Sequence, residues 1–202
     1  GAKVLSKYYP EFSEILAQKA KDAYRKGVAN PGVSQTAPGG APYFYEEDNW
    51  ADDMQLAAAE MYSTFGQKEY FTQAINYGRL EPVTPWIGAD SARHYQWYPF
   101  VNLGNSHLAV QNNDLRAGNE FIRNMKTGLQ RVKERTGDNA FLNGIPFIWC
   151  SNNLTVGFIT QCRLYYEITG DDSYLEIETA MRDWLFGCNP WGTSMIVGYP
   201  EH

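Results

Sequence analysis

Five carboxylates crowd one short stretch of the chain: Glu46, Glu47, Asp48, Asp52 and Asp53. Two facing carboxyl groups can act as acid and base on a single bond, and several together can hold calcium. A helix start attracts the same residues, because its free N–H groups and dipole favour negative charge, and this is the reading adopted for Asp52 and Asp53. The six tryptophans and fourteen tyrosines offer different chemistry. Flat rings with a polar edge suit the apolar faces of sugars, although helical domains also fill inter-helix space with them. Trp97, in Tyr95-Gln96-Trp97-Tyr98-Pro99, and Trp149 are the candidates for sugar stacking, with Asn153 as a polar candidate beside them. Trp50, Trp184 and Trp191 sit on or beside apolar helical stripes and read as core or loop anchors.

Other chemistries find little support. His94 and His107 are thirteen residues apart and His202 is the final residue, whereas helix-borne metal ligands lie about three to five apart. Gly39-Gly40 and Gly192 are not followed by the Lys-Ser/Thr of a phosphate loop. Cys150, Cys162 and Cys188 lack the short paired spacing of a zinc site, and buried thiols are the default reading. No metal and no cofactor is expected.

The elements that must position these residues are helices. Phe12, Leu16, Ala20 and Ala23 mark a first apolar stripe that should stop at Gly27, ahead of a Pro/Gly-rich stretch from Ala29 to Pro42. Trp50, Met54, Ala58, Met61 and Phe65 mark a second, central helix, and the Ala57-Ala58-Ala59 run lets a neighbour approach closely. Helices are also expected over Lys68 to Tyr77, Phe100 to Gln111 and Asp114 to Arg135, the last with Asp114 as N-cap. Leu154, Phe158, Cys162 and Tyr165 mark another helix, and Tyr174, Ile177, Met181, Trp184 and Leu185 the final one. Leu80 to His94 and Asn143 to Ser151 read as loops around Pro and Gly.

One echo joins the two halves. Tyr62, Gly66 and Tyr70 share their spacing with Tyr166, Gly170 and Tyr174. Each set reads as a helical hairpin whose glycine makes a left-handed stop, with Asp171 or Asp172 capping the helix after the second. Repeated helical hairpins stack into a solenoid or close into a toroid. The fold class expected is therefore all-α, with about seven helices and no strand pair.

The 202 residues are 44% hydrophobic and 15% aromatic, enough to bury a sizeable core as one domain or a large part of one. A net charge of -6 argues against nucleic acid or an anionic membrane surface as partner. No apolar run approaches the roughly 20 residues of a membrane span.

Four stretches in this order resemble glycoside hydrolase family 9, the family of cellulases and related β-glucan hydrolases. Leu16 to Pro31, ending in Ala29-Asn30-Pro31, is similar to a helix with an Asn-Pro stop. Trp50-Ala51-Asp52-Asp53-Met54 through Tyr62 resembles the family's acidic pair, Ala-rich helix and Tyr. Asn152-Asn153-Leu154, with the helix running to Thr169-Gly170-Asp171, resembles its loop of a tryptophan, a polar pair and a long apolar helix. Leu185 to Tyr199, containing Asn189-Pro190 and Ser194, resembles its Leu-x-Gly-x-Asn-Pro-x-x-x-Ser-x-x-x-Gly segment most closely.

The resemblance implies an incomplete (α/α)6 toroid, with residues 1–202 as a single partial domain of a catalytic unit. It implies an inverting hydrolase of β-linked glucan, of cellulose, mixed-linkage or xyloglucan type. Inversion needs an acid and a base roughly 6.5–9.5 Å apart. The family's Asp-Ala-Gly-Asp segment, which holds the base, does not occur among these residues. The acid is expected later than His202, so this chain alone is expected to be inactive.

The resemblance also places Trp149 two residues ahead of a sugar-stacking tryptophan, Asn153 at a substrate-contacting polar position, and Trp97 near another cleft aromatic. For Asn153, a role as helix N-cap stays open. Expected partners are a polysaccharide or oligosaccharide, together with missing parts of the same domain or a second copy covering uncovered hairpin faces. An extracellular or periplasmic location is implied. Two alternatives are a non-catalytic carbohydrate-binding or scaffold module, and another six-hairpin enzyme (lyase, unsaturated glucuronyl hydrolase or epimerase) using Tyr98, His107 or Asp52.

Overall fold

The computed structural model describes residues 1–32, 50–80, 100–111, 115–147 and 151–199. Among these residues it contains eight α-helices and no strand, in agreement with the all-α expectation: α1 (Ala2–Leu5), α2 (Pro10–Ala29), α3 (Ala51–Phe65), α4 (Lys68–Leu80), α5 (Phe100–Val110), α6 (Leu115–Arg135), α7 (Ser151–Thr169) and α8 (Leu175–Leu185). They fall into two compact units, Gly1–Glu81 and Pro82–His202.

In the first unit α3 is the middle helix, packed against α2 and α4. Ala58 and Ala59 of α3 and Ala74 of α4 are fully buried, so the two backbones approach closely. Tyr24 of α2 donates its hydroxyl to Gln73 Oε1 at 2.7 Å and meets the Tyr70 ring edge-on at 5.4 Å. The short α1 is tied to α2 by Ser13 Oγ donating to the Ala2 carbonyl, and to α3 by Lys3 Nζ donating to Ser63.

The structure corrects two expectations for α2. Its buried residues are Ser13 and Tyr24, not the predicted stripe, and Phe12 is 51% exposed. Gly27 is not a stop, since the helix continues to Ala29. A Cβ at Gly27 would lie 2.9 Å from Met54 Sδ, so the glycine makes room for α3.

In the second unit α6 lies against α5 and α7, and α7 against α8. Its core joins Met125, Leu129 and Val132 of α6 to Leu154, Phe158, Cys162 and Tyr165 of α7, with Ile177 and Met181 of α8. These α7 and α8 residues are the ones the sequence stripes name. Arg163 of α7 grips the buried Glu178 of α8 through Nε at 3.1 Å and a second nitrogen at 2.6 Å.

The Tyr-Gly-Tyr echo is a structural repeat. Gly66 and Gly170 both sit at φ +70, and their N–H groups donate to Tyr62 O at 2.8 Å and Tyr166 O at 2.7 Å. The expected Asp cap on α8 does not form, because the N-cap residue is Tyr174. Asp171 instead accepts from Ser173 N–H, Lys126 Nζ and Tyr165 OH, tying the turn to α6 and α7. These donors hold its carboxyl well below the usual carboxylate range, the Ser173 hydroxyl foremost.

A left-handed residue other than glycine costs about 1–2 kcal/mol. Gly170→Ala should therefore lower the urea midpoint with the slope unchanged, and Gly170→Asn, which tolerates this region better, should lower it less. An unchanged midpoint for the alanine variant would show that the turn is not held left-handed.

Candidate functional site

Two loops of the second unit meet beside α8. The first follows α6 and is built from local asparagine turns. Asn139 Oδ1 accepts from Phe141 N–H at 2.9 Å, Asn143 Oδ1 accepts from Ile145 N–H at 2.9 Å, and Asn139 Nδ2 donates to Asn143 O at 3.3 Å. Leu142 takes a positive φ of 50, the one such non-glycine residue among those described. A Cβ at Gly144 would lie 2.1 Å from the Val132 carbonyl oxygen, so only glycine lets this loop lie so close to α6. With Ile145 buried in the core, the chain emerges at Phe147, which is 81% exposed.

The second loop follows α8 and turns on Asn189. Its buried carboxamide donates to Trp184 O at 2.8 Å and Thr193 O at 2.7 Å. Its Oδ1 accepts from Trp191 N–H at 3.1 Å and Thr193 N–H at 3.3 Å. The chain then doubles back, and Met195 N–H donates to Leu185 O at 2.8 Å. This turn lifts Trp191 to 55% exposure. The Trp191 ring stands 5.9 Å from that of Phe147 at 36°, and 6.0 Å from that of the buried Trp184 at 81°.

Between the loops lies an open cavity of about 300 Å³. Phe147, Trp184, Trp191 and Phe141 form much of its wall, with Asn139, Asn143, Ser151 and Thr155 as its polar lining; among the described residues none that lines it is charged. Thr155 Oγ1 already donates to Ser151 O. Among the described residues, Asn143 Nδ2 and the Ser151 hydroxyl have no protein partner, so both keep hydrogen-bonding capacity toward a guest. A cavity with aromatic walls and neutral polar groups can hold and orient a neutral, hydroxyl-rich ring. Among the described residues that line it, none could transfer a proton at neutral pH.

Of the residues singled out from sequence, Trp97 and Trp149 lie outside the described residues, as do Tyr98 and Glu46 to Asp48. Asn153 is exposed in the first turn of α7, two residues inside the helix start, and so is not its N-cap. Ser151 and Thr155, four apart, share the helix face that lines the cavity, whereas Asn153 lies between them in sequence and on another side. Trp184 is core, as expected. Trp191 is not an anchor buried beside a stripe but an exposed wall, and Phe147 escaped sequence reasoning altogether. The signal for Trp191 was its place between Pro190 and Gly192, since turn residues project from the surface.

His107 is half-buried on α5. Among the described residues no three His, Cys, Asp or Glu side chains are grouped to hold a metal ion. Cys162 is buried, and burial pushes its thiol pKa up, while Cys188 is exposed, contrary to the buried default.

Asp52 occupies the first turn of α3, where acidic residues were expected. Partial burial, reinforced by Asp53, raises its pKa to about 6. The folded state thus binds this proton more tightly than the unfolded chain, whose value is 3.8. The contribution to stability is full below about pH 4 and is lost as pH rises through about 6. Unfolding midpoints of the wild type and Asp52→Asn, measured from pH 4 to 8, should diverge in that window. Parallel curves would contradict the raised value.

Residues 1–202 match the family described as Glycosyl hydrolase family 9. Endoglucanase C of Cellulomonas fimi is 24% identical over the whole of this chain, which spans 18% of that protein. A cellulose 1,4-beta-cellobiosidase of Acetivibrio thermocellus is 23% identical over 99% of the chain, which spans 25% of it. The crystal structure of a GH family 9 endoglucanase, J30, superposes with a TM-score of 0.76 at 22% identity, over 100% of this chain and 37% of that one. The chain shares that fold along its full length, the helical fold of the (α/α)6 toroids that the sequence resemblance implies. It spans between 18% and 37% of these proteins. By its match from first residue to last, the chain belongs to glycosyl hydrolase family 9.

Proposed function

We propose that this chain forms helices and one wall of the substrate cleft of an inverting β-glucan hydrolase. The observation that carries the reading is the uncharged cavity walled by Phe147 and Trp191 on the loop that holds the family-like Asn189-Pro190 segment. Aromatic rings cover the apolar face of a glucose unit, and Asn143 and Ser151 meet its hydroxyls. A uronic acid would want a cation, and the described residues of the lining offer none, which favours a neutral glucan over the substrates of lyases and glucuronyl hydrolases. The relatives named for endoglucanase and cellobiosidase activity point the same way. Trp97, Trp149 and Asn153 are proposed as further sugar contacts along the cleft.

In this reading the acid and base are supplied from outside these residues, and the chain belongs to a larger catalytic domain. The exposed Tyr8, Tyr9, Phe12 and Ile15 along the start of α2 supply a face that such a domain, or a second copy, would cover. The lack of any acid or base among the described residues of the lining favours one second reading, a module that binds glucan without cleaving it.

The test uses the full-length protein. It should release reducing sugar from cellotetraose with the α-anomer formed first, as seen by proton NMR. Trp191→Ala should lower kcat/KM roughly tenfold, the order of one lost aromatic contact, and Phe147→Ala should lower it in the same direction. Binding with no hydrolysis would select the second reading, and activity untouched by both substitutions would remove the cavity from the cleft.

A further inference from the structure

Trp191 owes its position to very little of its own packing. It is more than half exposed and follows Pro190, and its ring meets that of Phe147 at a tilt and that of Trp184 edge-on. An exposed indole on a turn samples several rotamers unless its backbone is fixed, and a stacking wall that moves loses affinity to the entropy of ordering it. Two side chains bond this backbone: Thr193 Oγ1 donates to Trp191 O at 3.1 Å, and Asn189 makes four bonds around the turn. Asn189 uses both amide hydrogens and its carbonyl oxygen within the turn, reaching back to Trp184 O at the end of α8 and forward to Trp191 N–H and to Thr193 at both N–H and carbonyl. Its main-chain carbonyl accepts a fifth bond, from Gly192 N–H at 3.0 Å. Because its Nδ2 bond ends on the backbone of Trp184, the carboxamide couples the exposed indole to the buried one that forms the cavity's inner wall. A buried amide with all its partners made is rigid, and losing it removes the turn's bonds to Trp191 N–H and to both backbone groups of Thr193, leaving Trp184 O only the 3.3 Å bond from Gly187 N–H.

We propose that Asn189 is a positioning residue for sugar binding: its carboxamide sets the Trp191 indole as the outer wall of the cavity, without itself lining it. This rests on the cavity being a sugar site. The structural alternative is that Asn189 only stabilises the loop after α8, in which case stability and affinity would separate on mutation.

The test is a double-mutant cycle in the full-length protein, read by calorimetric binding of a non-hydrolysable, thio-linked cellotetraose at a temperature where every variant is folded. Asn189→Ala should weaken binding about as much as Trp191→Ala, roughly tenfold, and the double variant should be no weaker than either single. Asn189→Asp, which keeps the Oδ1 acceptor and loses both donors, should weaken binding in the same direction and carries the test if the alanine variant does not fold. Gly170→Ala, destabilised at the far turn of the α7–α8 hairpin, should bind as wild type. Wild-type affinity in Asn189→Ala or Asn189→Asp, or losses that add in the double variant, would overturn the proposal while leaving the cavity reading intact. An inert Trp191→Ala would instead overturn the cavity reading and this inference with it.

Discussion

The seam between α6 and α7 is the constraint on which the rest of the second unit depends. Met125, Leu129 and Val132 on one side and Leu154 and Phe158 on the other are at most 1% exposed. Burying each such side chain contributes about 1.5–3 kcal/mol. That outweighs the Lys126–Asp171 ion pair at the surface, whose kind is worth about 0–1 kcal/mol. The seam also fixes where the loops begin. Ile145 is anchored in it just before Phe147, and α8, held on α7 by the Arg163 clamp on Glu178, ends where Asn189 takes over. Two loops distant in sequence therefore meet over Trp184 because the helices beneath them have one way to pack.

The chemistry divides accordingly. The described residues of the cavity offer surface and hydrogen bonds and no titrating group, which suits binding and orienting a ring. The raised pKa of Asp52 has an ordinary cause, a carboxylate partly buried beside another at a helix start, and it sits in the first unit. A perturbed carboxyl is a candidate for proton transfer only when it faces a substrate.

Much of the fold was legible in the sequence, for identifiable reasons. The α7 and α8 stripes named buried residues correctly because both helices bury a continuous face and are long enough for the period to stand out. The Tyr-Gly-Tyr echo gave both hairpin turns, since a glycine between two helical stripes at a repeated spacing marks a left-handed helix stop. The α2 stripe misled because Phe12 is apolar yet exposed, while Ser13 is buried for the hydrogen bond it makes to α1. Gly27 looked like a stop because close approach by Met54 leaves no mark in local sequence. The Asp171 cap failed because Lys126 and Tyr165, distant in sequence or on another helix, compete for the same carboxylate. Asn189 and Pro190 were legible as a family-like motif. Their consequence, an exposed Trp191 facing Phe147 across some forty residues of sequence, depends on tertiary packing that no local pattern encodes.

The most direct measurement is a crystal structure of the full-length protein with bound cellotetraose. The account predicts a glucose ring seated on the Trp191 indole, with Asn143 and Ser151 within hydrogen-bonding distance of its hydroxyls. A sugar chain bound elsewhere in the cleft, with this cavity filled by protein or by water alone, would contradict it.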